Sequence, residues 1–155
     1  MKGSPEVIAT LQAGLAAEAH LNIQCRQYQR SLKYMGLKKV AKRVKRIGDH
    51  AHCYQKCLSK RALLLGGTIG LSMPSIEDGD RSLTKVLQNL LDLNLAIVEP
   101  YEKAVQVAMD AMDDTSRNLF EHLLKWHQND DVCWLEQQLE LIKSLGESDY
   151  ITTKI

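Results

Sequence analysis

Apolar residues recur along most of the chain at spacings of three and four, the period of an α-helix that buries one face. Val7/Ile8, Leu11, Leu15, Leu21, Cys25, Tyr28 and Leu32 predict a first helix over about 5–34. Ser4 as N-cap, Pro5 at the first helical position and Glu6 in the first turn supply its start signals. After Gly36, a second helix over about 38–66 carries Val40, Val44, Ile47, Ala51, Tyr54, Leu58, Ala62 and Leu65, and Gly66-Gly67 ends it. A third, about 81–112, carries Leu83, Leu87, Leu90, Asn94, Ile97, Tyr101, Ala104 and Ala108, with Pro100 as a kink. A fourth, about 115–144, carries Phe120, Leu124, Gln128, Asp131, Leu135, Leu139 and Ile142, and Gly146 closes it before a short helix at about 149–153. No segment has a strand period, so the expected class is all-α: a four-helix bundle with a short C-terminal fifth helix. The stretch from Thr68 to Asp80 contains Gly70, Pro74 and Gly79 and is long enough to climb a bundle, which lets the second and third helices run parallel.

Composition narrows this picture. At 155 residues with 45% apolar content, the chain matches one domain, residues 1–155, with a continuous core. The opening residues lack the apolar run of a secretion signal, and no stretch approaches a membrane span, so a cytoplasmic location is expected and no membrane partner. Cys25, Cys53, Cys57 and Cys133 lie within helical segments and are expected as reduced thiols. A net charge of +1 excludes a strongly basic nucleic-acid binder by bulk balance. The run Lys38, Lys39, Lys42, Arg43, Lys45 and Arg46 nevertheless opens the second helix, the end whose dipole disfavours cations. A solvated face or a contact with acidic side chains of an unlike subunit accounts for it. Nucleic acid is not expected, because only Tyr34 accompanies the run as a stacking residue.

Each apolar stripe also carries a polar residue or a substitute near mid-height: Glu18 on the first, Ala51 and Tyr54 on the second, Asn94 on the third, Gln128 with Asp131 on the fourth. This is the layout of a site in a bundle core. A di-iron carboxylate site of that kind takes a Glu from each of two helices and a Glu-x-x-His pair from each of the others, because the i, i+3 spacing aims both ligands inward. The sequence contains no Glu-x-x-His. Asp49-x-x-His52 has the right spacing but turns away from the apolar stripe. Cys53 and Cys57, an i, i+4 pair with His50 close by, are expected as packed reduced thiols rather than as a metal site. Glu18 is expected to be held by Tyr54 or Asn94 in a polar network that sets the helix register.

Met1-Lys2-Gly3, Val7-Ile8, Leu15, Glu18, Gln24, Arg30, Gly36-Leu37-Lys38, Leu63 to Leu65 with Gly67, Ser116-Arg117 and Trp134-Leu135-Glu136 together resemble bacterioferritin, of the ferritin-like superfamily. The resemblance places that family's iron-ligand positions on Glu18, Ala51, Tyr54 and Asn94, of which only Glu18 keeps the family residue. The family's second, inner-surface iron positions fall on Arg46 and His50, and Arg46 opposes iron there. On the fourth helix, the interval from Arg117 to Trp134 is one residue longer than the family's, an insertion that helices absorb as a π-bulge. Counting back from Trp134 puts Gln128 and Asp131 at the Glu and His positions, whereas counting forward from Arg117 puts His127 and Asp130 there.

The resemblance therefore implies an iron-storage shell subunit with a degenerate ferroxidase centre. Glu18 and Asp131 are its remaining metal candidates, no residue is assigned as catalytic, and ferroxidase activity is expected to be lost or weak. Iron is expected as stored mineral, without an intact di-iron centre. His52 falls where the family places a haem-binding methionine at a two-fold interface, which makes it a candidate axial ligand for haem b. Arg26, Lys45 and Lys56 lie near enough to face haem propionates or to repel a second subunit. The implied partners are copies of the chain, or a ferroxidase-competent bacterioferritin subunit in a mixed shell, in the family's twenty-four-subunit cage. Two alternatives remain: an active ferroxidase rebuilt on Glu18, Asp131 and His127, and a haem-binding or interaction protein that no longer stores iron.

Overall fold

The computed structural model describes residues 2–70, 75–77 and 82–154. Among these residues there is no strand, and the helices are α1 (Pro5–Tyr34), α2 (Lys38–Leu64), α3 (Leu83–Asp110), α4 (Asp114–Trp126), a π-helical segment (His127–Val132), α5 (Cys133–Leu145) and α6 (Glu147–Thr153). The π segment joins α4 and α5 without a break, so the three together form the fourth rod of a four-helix bundle, with α6 as the short fifth helix.

Cross-helix contacts fix the directions. Asn22 donates to the Gly48 carbonyl at 2.7 Å and Arg26 pairs with Asp49, so α1 and α2 are antiparallel neighbours. Tyr101 of α3 donates to Glu18, and Asn89 donates to Tyr28, so α3 also opposes α1. Thus α2 and α3 run parallel, and the crossover between them must climb the bundle. Two glutamines on α1 hold its described parts: Gln12 donates to the Thr68 carbonyl at 2.9 Å, and Gln24 exchanges two hydrogen bonds with the Glu77 backbone. Those anchors are twelve residues apart on α1, a climb of about 18 Å. Pro74 and Gly79 of the expected crossover lie outside the described residues.

Helix ends are set by specific chemistry. Gly66, at φ +89°, takes the left-handed conformation that lets Gly67 N–H bond back to the Ala62 carbonyl at 2.8 Å and stop α2. Ser4 does not cap α1 through its side chain: its hydroxyl donates to Glu6 instead, at 2.6 Å. Glu147, the first residue of α6, reaches the start of α3, where its carboxylate accepts from the Thr84 N–H at 2.8 Å. A carboxylate there meets the positive end of the α3 dipole and satisfies an otherwise unpaired donor.

The predicted apolar stripes of the first three helices face one continuous core. On the fourth rod the stripe differs from expectation. Leu123 is buried where Leu124 was expected and is only half-buried, and Gln128 points outward, 3.4 Å from Glu102. The π segment changes the helical phase, so no single period describes both halves of this rod.

The α1–α2 interface is close enough for helix backbones to touch through Gly48, where an added Cβ would lie 2.9 Å from the Cys25 Cβ. Overpacking there outweighs the better helix propensity of alanine. Gly48→Ala is expected to lower stability by about 1 kcal/mol, read from the shift of its denaturation midpoint in urea.

Candidate functional site

At mid-height the four rods converge on a buried polar network. Glu18 of α1 and His127, the first residue of the π segment, are both fully buried, and the His127 Nε2 bonds directly to a Glu18 carboxylate oxygen. Tyr101 of α3 donates to the same oxygen at 3.0 Å. On its other side, His127 Nδ1 lies 2.9 Å from the Asn94 side-chain oxygen, while the Asn94 amide donates to the Leu90 carbonyl at 2.8 Å. With its amide committed there, Asn94 can only accept from His127, so Nδ1 is a donor and Nε2 shares a proton with the Glu18 carboxyl. Burial pulls the His127 pKa down, but the charge and hydrogen bond of Glu18, aided by Asp131, outweigh this and leave it above the ordinary histidine value.

Glu18 is therefore held by His127 and Tyr101, not by Tyr54 or Asn94. Asn94 acts one bond further out, fixing the histidine. Tyr54 packs its ring against His127 with centroids 5.4 Å apart, filling space beside Ala51, which offers no ligand atom. Burial, with Asp131 and Glu18 nearby, pushes the Tyr54 hydroxyl pKa up and keeps it neutral. The second Glu18 oxygen has no hydrogen-bond partner among the described residues.

The π segment explains why this arrangement was hard to read. His127 and Asp131 are both buried, whereas Gln128 is exposed and Asp130 only half-buried. The inward pair thus takes its first member from the register counted forward and its second from the register counted back. A π turn closes with i→i+5 hydrogen bonds, and its wider pitch lets residues four apart share a face. The extra residue in the interval from Arg117 to Trp134 was the available signal.

Asp131 feels the charge of His127 but makes no hydrogen bond to it among those that hold the Glu18 pair. It faces Arg43, 3.4 Å away, and burial raises its pKa against the pull of His127 and Arg43. His52 lies on the exposed outer side of α2. Nearby, Asp49 binds Arg26 at 2.6 Å and Lys45 at 2.9 Å, and these contacts, Lys45 foremost, hold its carboxyl below the usual range. Two of the three candidate propionate partners, Arg26 and Lys45, are therefore already committed to one aspartate, and Lys56 is exposed. Cys53 and Cys57 are free and exposed, not packed as expected, because they lie on the side of α2 away from the core.

The buried pair makes stability depend on pH in a definite direction. Folding raises the His127 pKa, so its contribution is complete below the ordinary value of 6.5 and is lost as pH climbs through the folded value. Asp131, also raised, acts in the same direction from a lower starting point. Urea midpoints should fall as pH is raised above 6.5, and that slope should disappear in His127→Gln. His127→Leu, which strands Glu18 without its counter-charge, should cost about 3–5 kcal/mol, and Glu18→Leu/His127→Leu should be more stable than either single variant.

Comparison with known proteins agrees with this architecture. Residues 8–145 match the ferritin-like domain family. The chain is 30% identical over its whole length to a bacterioferritin of Streptomyces coelicolor, covering 92% of that protein. It is 28% identical to a bacterial ferritin of Synechocystis sp. and 28% identical to one of Pseudomonas aeruginosa, covering 99% and 100% of them. With a full-length bundle whose helices meet at a mid-height polar centre, the chain belongs to the ferritin-like family, among the relatives of the bacterioferritins.

Proposed function

We propose that this chain is an iron-storage shell subunit whose own centre does not carry out coupled oxidation at two irons. The observation that carries this reading is the His127–Glu18 pair, which puts a protein partner on one oxygen of the central carboxylate and leaves only its other oxygen unpaired. Two ferrous ions would bring four positive charges. Against them stand Glu18, neutralised by His127, and Asp131, neutralised by Arg43. Ala51 contributes no donor, and the Asn94 carbonyl oxygen is spent on His127. The residues present do not fit a di-iron centre, which needs bridging carboxylates and charge compensation together. Nor do Glu18, Asp131 and His127 group as a rebuilt site: among the described residues they do not form a set of donors within metal-binding reach.

Storage then depends on the shell, formed by copies of this chain or with a ferroxidase-competent subunit in a family-type cage. The exposed thiols Cys53, Cys57 and Cys133 support a reducing, cytoplasmic setting, and no helix among the described residues is long and apolar enough to cross a membrane. In aerobic Fe(II) oxidation followed by ultraviolet absorbance, the purified protein should be no faster than the protein-free control in its initial phase. A rate matching an ordinary ferritin would overturn the proposal.

A haem reading adds to this one. His52 presents an exposed imidazole one turn from Asp49, and Ile23, one turn along α1 from the Arg26 that pairs with Asp49, is exposed as well. Those residues fit an axial ligand from each of two symmetry-related copies, and such a haem would supply a one-electron centre in the shell wall. Purified protein is expected to show a Soret band that is lost in His52→Ala, together with a native mass of a large assembly. A full Soret band in His52→Ala, or a mass of a single chain, would sink this part.

A further inference from the structure

The π segment assembles a second group of donors beside the central pair. The Tyr54 ring packs against both His127 and His50, with centroids 5.4 and 6.2 Å apart. One donor atom each from His50, Asp130 and Asp131 lies within 4.8 Å of the others, with Asp131 also within electrostatic reach of His127. Such a set combines one imidazole nitrogen with two carboxylates, the donor chemistry of first-row divalent ions such as Fe(II), Zn(II) and Co(II).

The surrounding arginines divide these carboxylates in an informative way. Arg43 reaches Oδ1 of Asp130 at 3.1 Å and Oδ1 of Asp131 at 3.4 Å. It is itself held, with its guanidinium carbon 4.9 Å from the Trp134 ring centre. Arg43 therefore orients the two aspartates by one oxygen each. The second oxygen of Asp130 is shared by Arg46, at 3.3 Å, and by His50 Nδ1, at 4.0 Å. Arg46 is more than half exposed, so its contact is a weak surface ion pair on a mobile stem. Metal–ligand bonds of roughly 2.0–2.2 Å put neighbouring donors about 3–4 Å apart, so His50 and Asp130 need little movement to share an ion. An open groove of about 550 Å³, lined by Arg46, His122, Lys125, Trp126, Asn129 and Asp130, reaches the site at Asp130.

We propose that His50, Asp130 and Asp131 form a mononuclear divalent-cation site in which Arg46 is the displaceable cation that occupies Asp130 when no ion is bound. Its carboxylates come from the π segment, so it is not the pair of positions 46 and 50 that the family's inner-surface site implies. Arg43 offsets one of the two aspartate charges and keeps both side chains aimed, so displacing Arg46 leaves one net negative charge, enough for a single ion but not for two. Function at this site is capture of a single ferrous ion at an accessible groove, which goes beyond storage in a shell and does not require a working central site.

Co(II) titration of the purified full-length assembly, followed by visible d–d absorption and by equilibrium dialysis, tests this. One ion per chain is expected. Both His50→Ala and Asp130→Asn should weaken binding by roughly tenfold or more, the scale on which losses around metal sites are felt. Arg46→Ala should tighten it several-fold, because the competing cation is gone. All three positions are at least partly exposed, so the variants should keep the wild-type helical circular dichroism. Absence of stoichiometric binding, or equal binding in His50→Ala and wild type, would overturn the site. Weaker binding in Arg46→Ala would overturn the competing role of that arginine. Binding lost in Glu18→Gln but kept in His50→Ala would move the ion to the bundle centre and overturn the preceding functional reading as well, whereas fast iron oxidation with normal His50 dependence would overturn that reading alone.

Discussion

The buried pair of Glu18 and His127 is the interaction on which the middle of this bundle depends. A lone carboxylate at that depth would carry a desolvation cost of several kcal/mol, and an imidazolium there would be as costly. Together, with Tyr101 donating to the same oxygen and Asn94 orienting the ring, they become tolerable and tie α1, α3 and the π segment at one height. The pair also decides what the centre can do. In the proposed function, the Glu18 oxygen bound by His127 and Tyr101 is the one a second iron would have to share, so the contact that stabilises the core is also the one that opposes coupled oxidation there.

That pair exists because the fourth rod changes helical phase. His127 belongs to the face presented by α4, Asp131 to the face presented by α5, and the π segment lets both point inward. Without the extra residue, one of the two would turn toward solvent. The same widening carries Asp130 toward His50 and the arginines of α2. A single local irregularity thus sets the composition of both polar groups in the fourth rod.

Charge along α2 follows a related logic. The cations in its first turns sit at the dipole end that disfavours them, yet much of this run is locally compensated: Arg43 and Arg46 by Asp130 and Asp131, Lys45 by Asp49. Lys38, Lys39 and Lys42 remain exposed beyond those pairs. The run is therefore less a uniform basic patch than a series of cross-helix clamps with a solvated edge. Those clamps join α2 to the π segment and to α1, which is why the sequence shows strong cation clustering while the net charge stays near neutral.

The helices, their order and the parallel second and third rods were legible in the sequence, because burying one face of a helix demands a period that survives in the pattern of apolar residues, and because a long crossover has only one economical route. Glu18 as the lone central carboxylate was legible for the same reason: it sits on an otherwise apolar stripe. Its partner was not. His127 and Asp131 lie four residues apart on a segment with a different helical pitch, and the 3.6-residue period assigns one or the other, never both. Partner choice in a buried network is settled by which donors meet at one point in space, a property of four rods at once. Only the tertiary structure decided that Glu18 meets a histidine from the far end of the chain, and that the aspartates beside it turn toward His50 and two arginines.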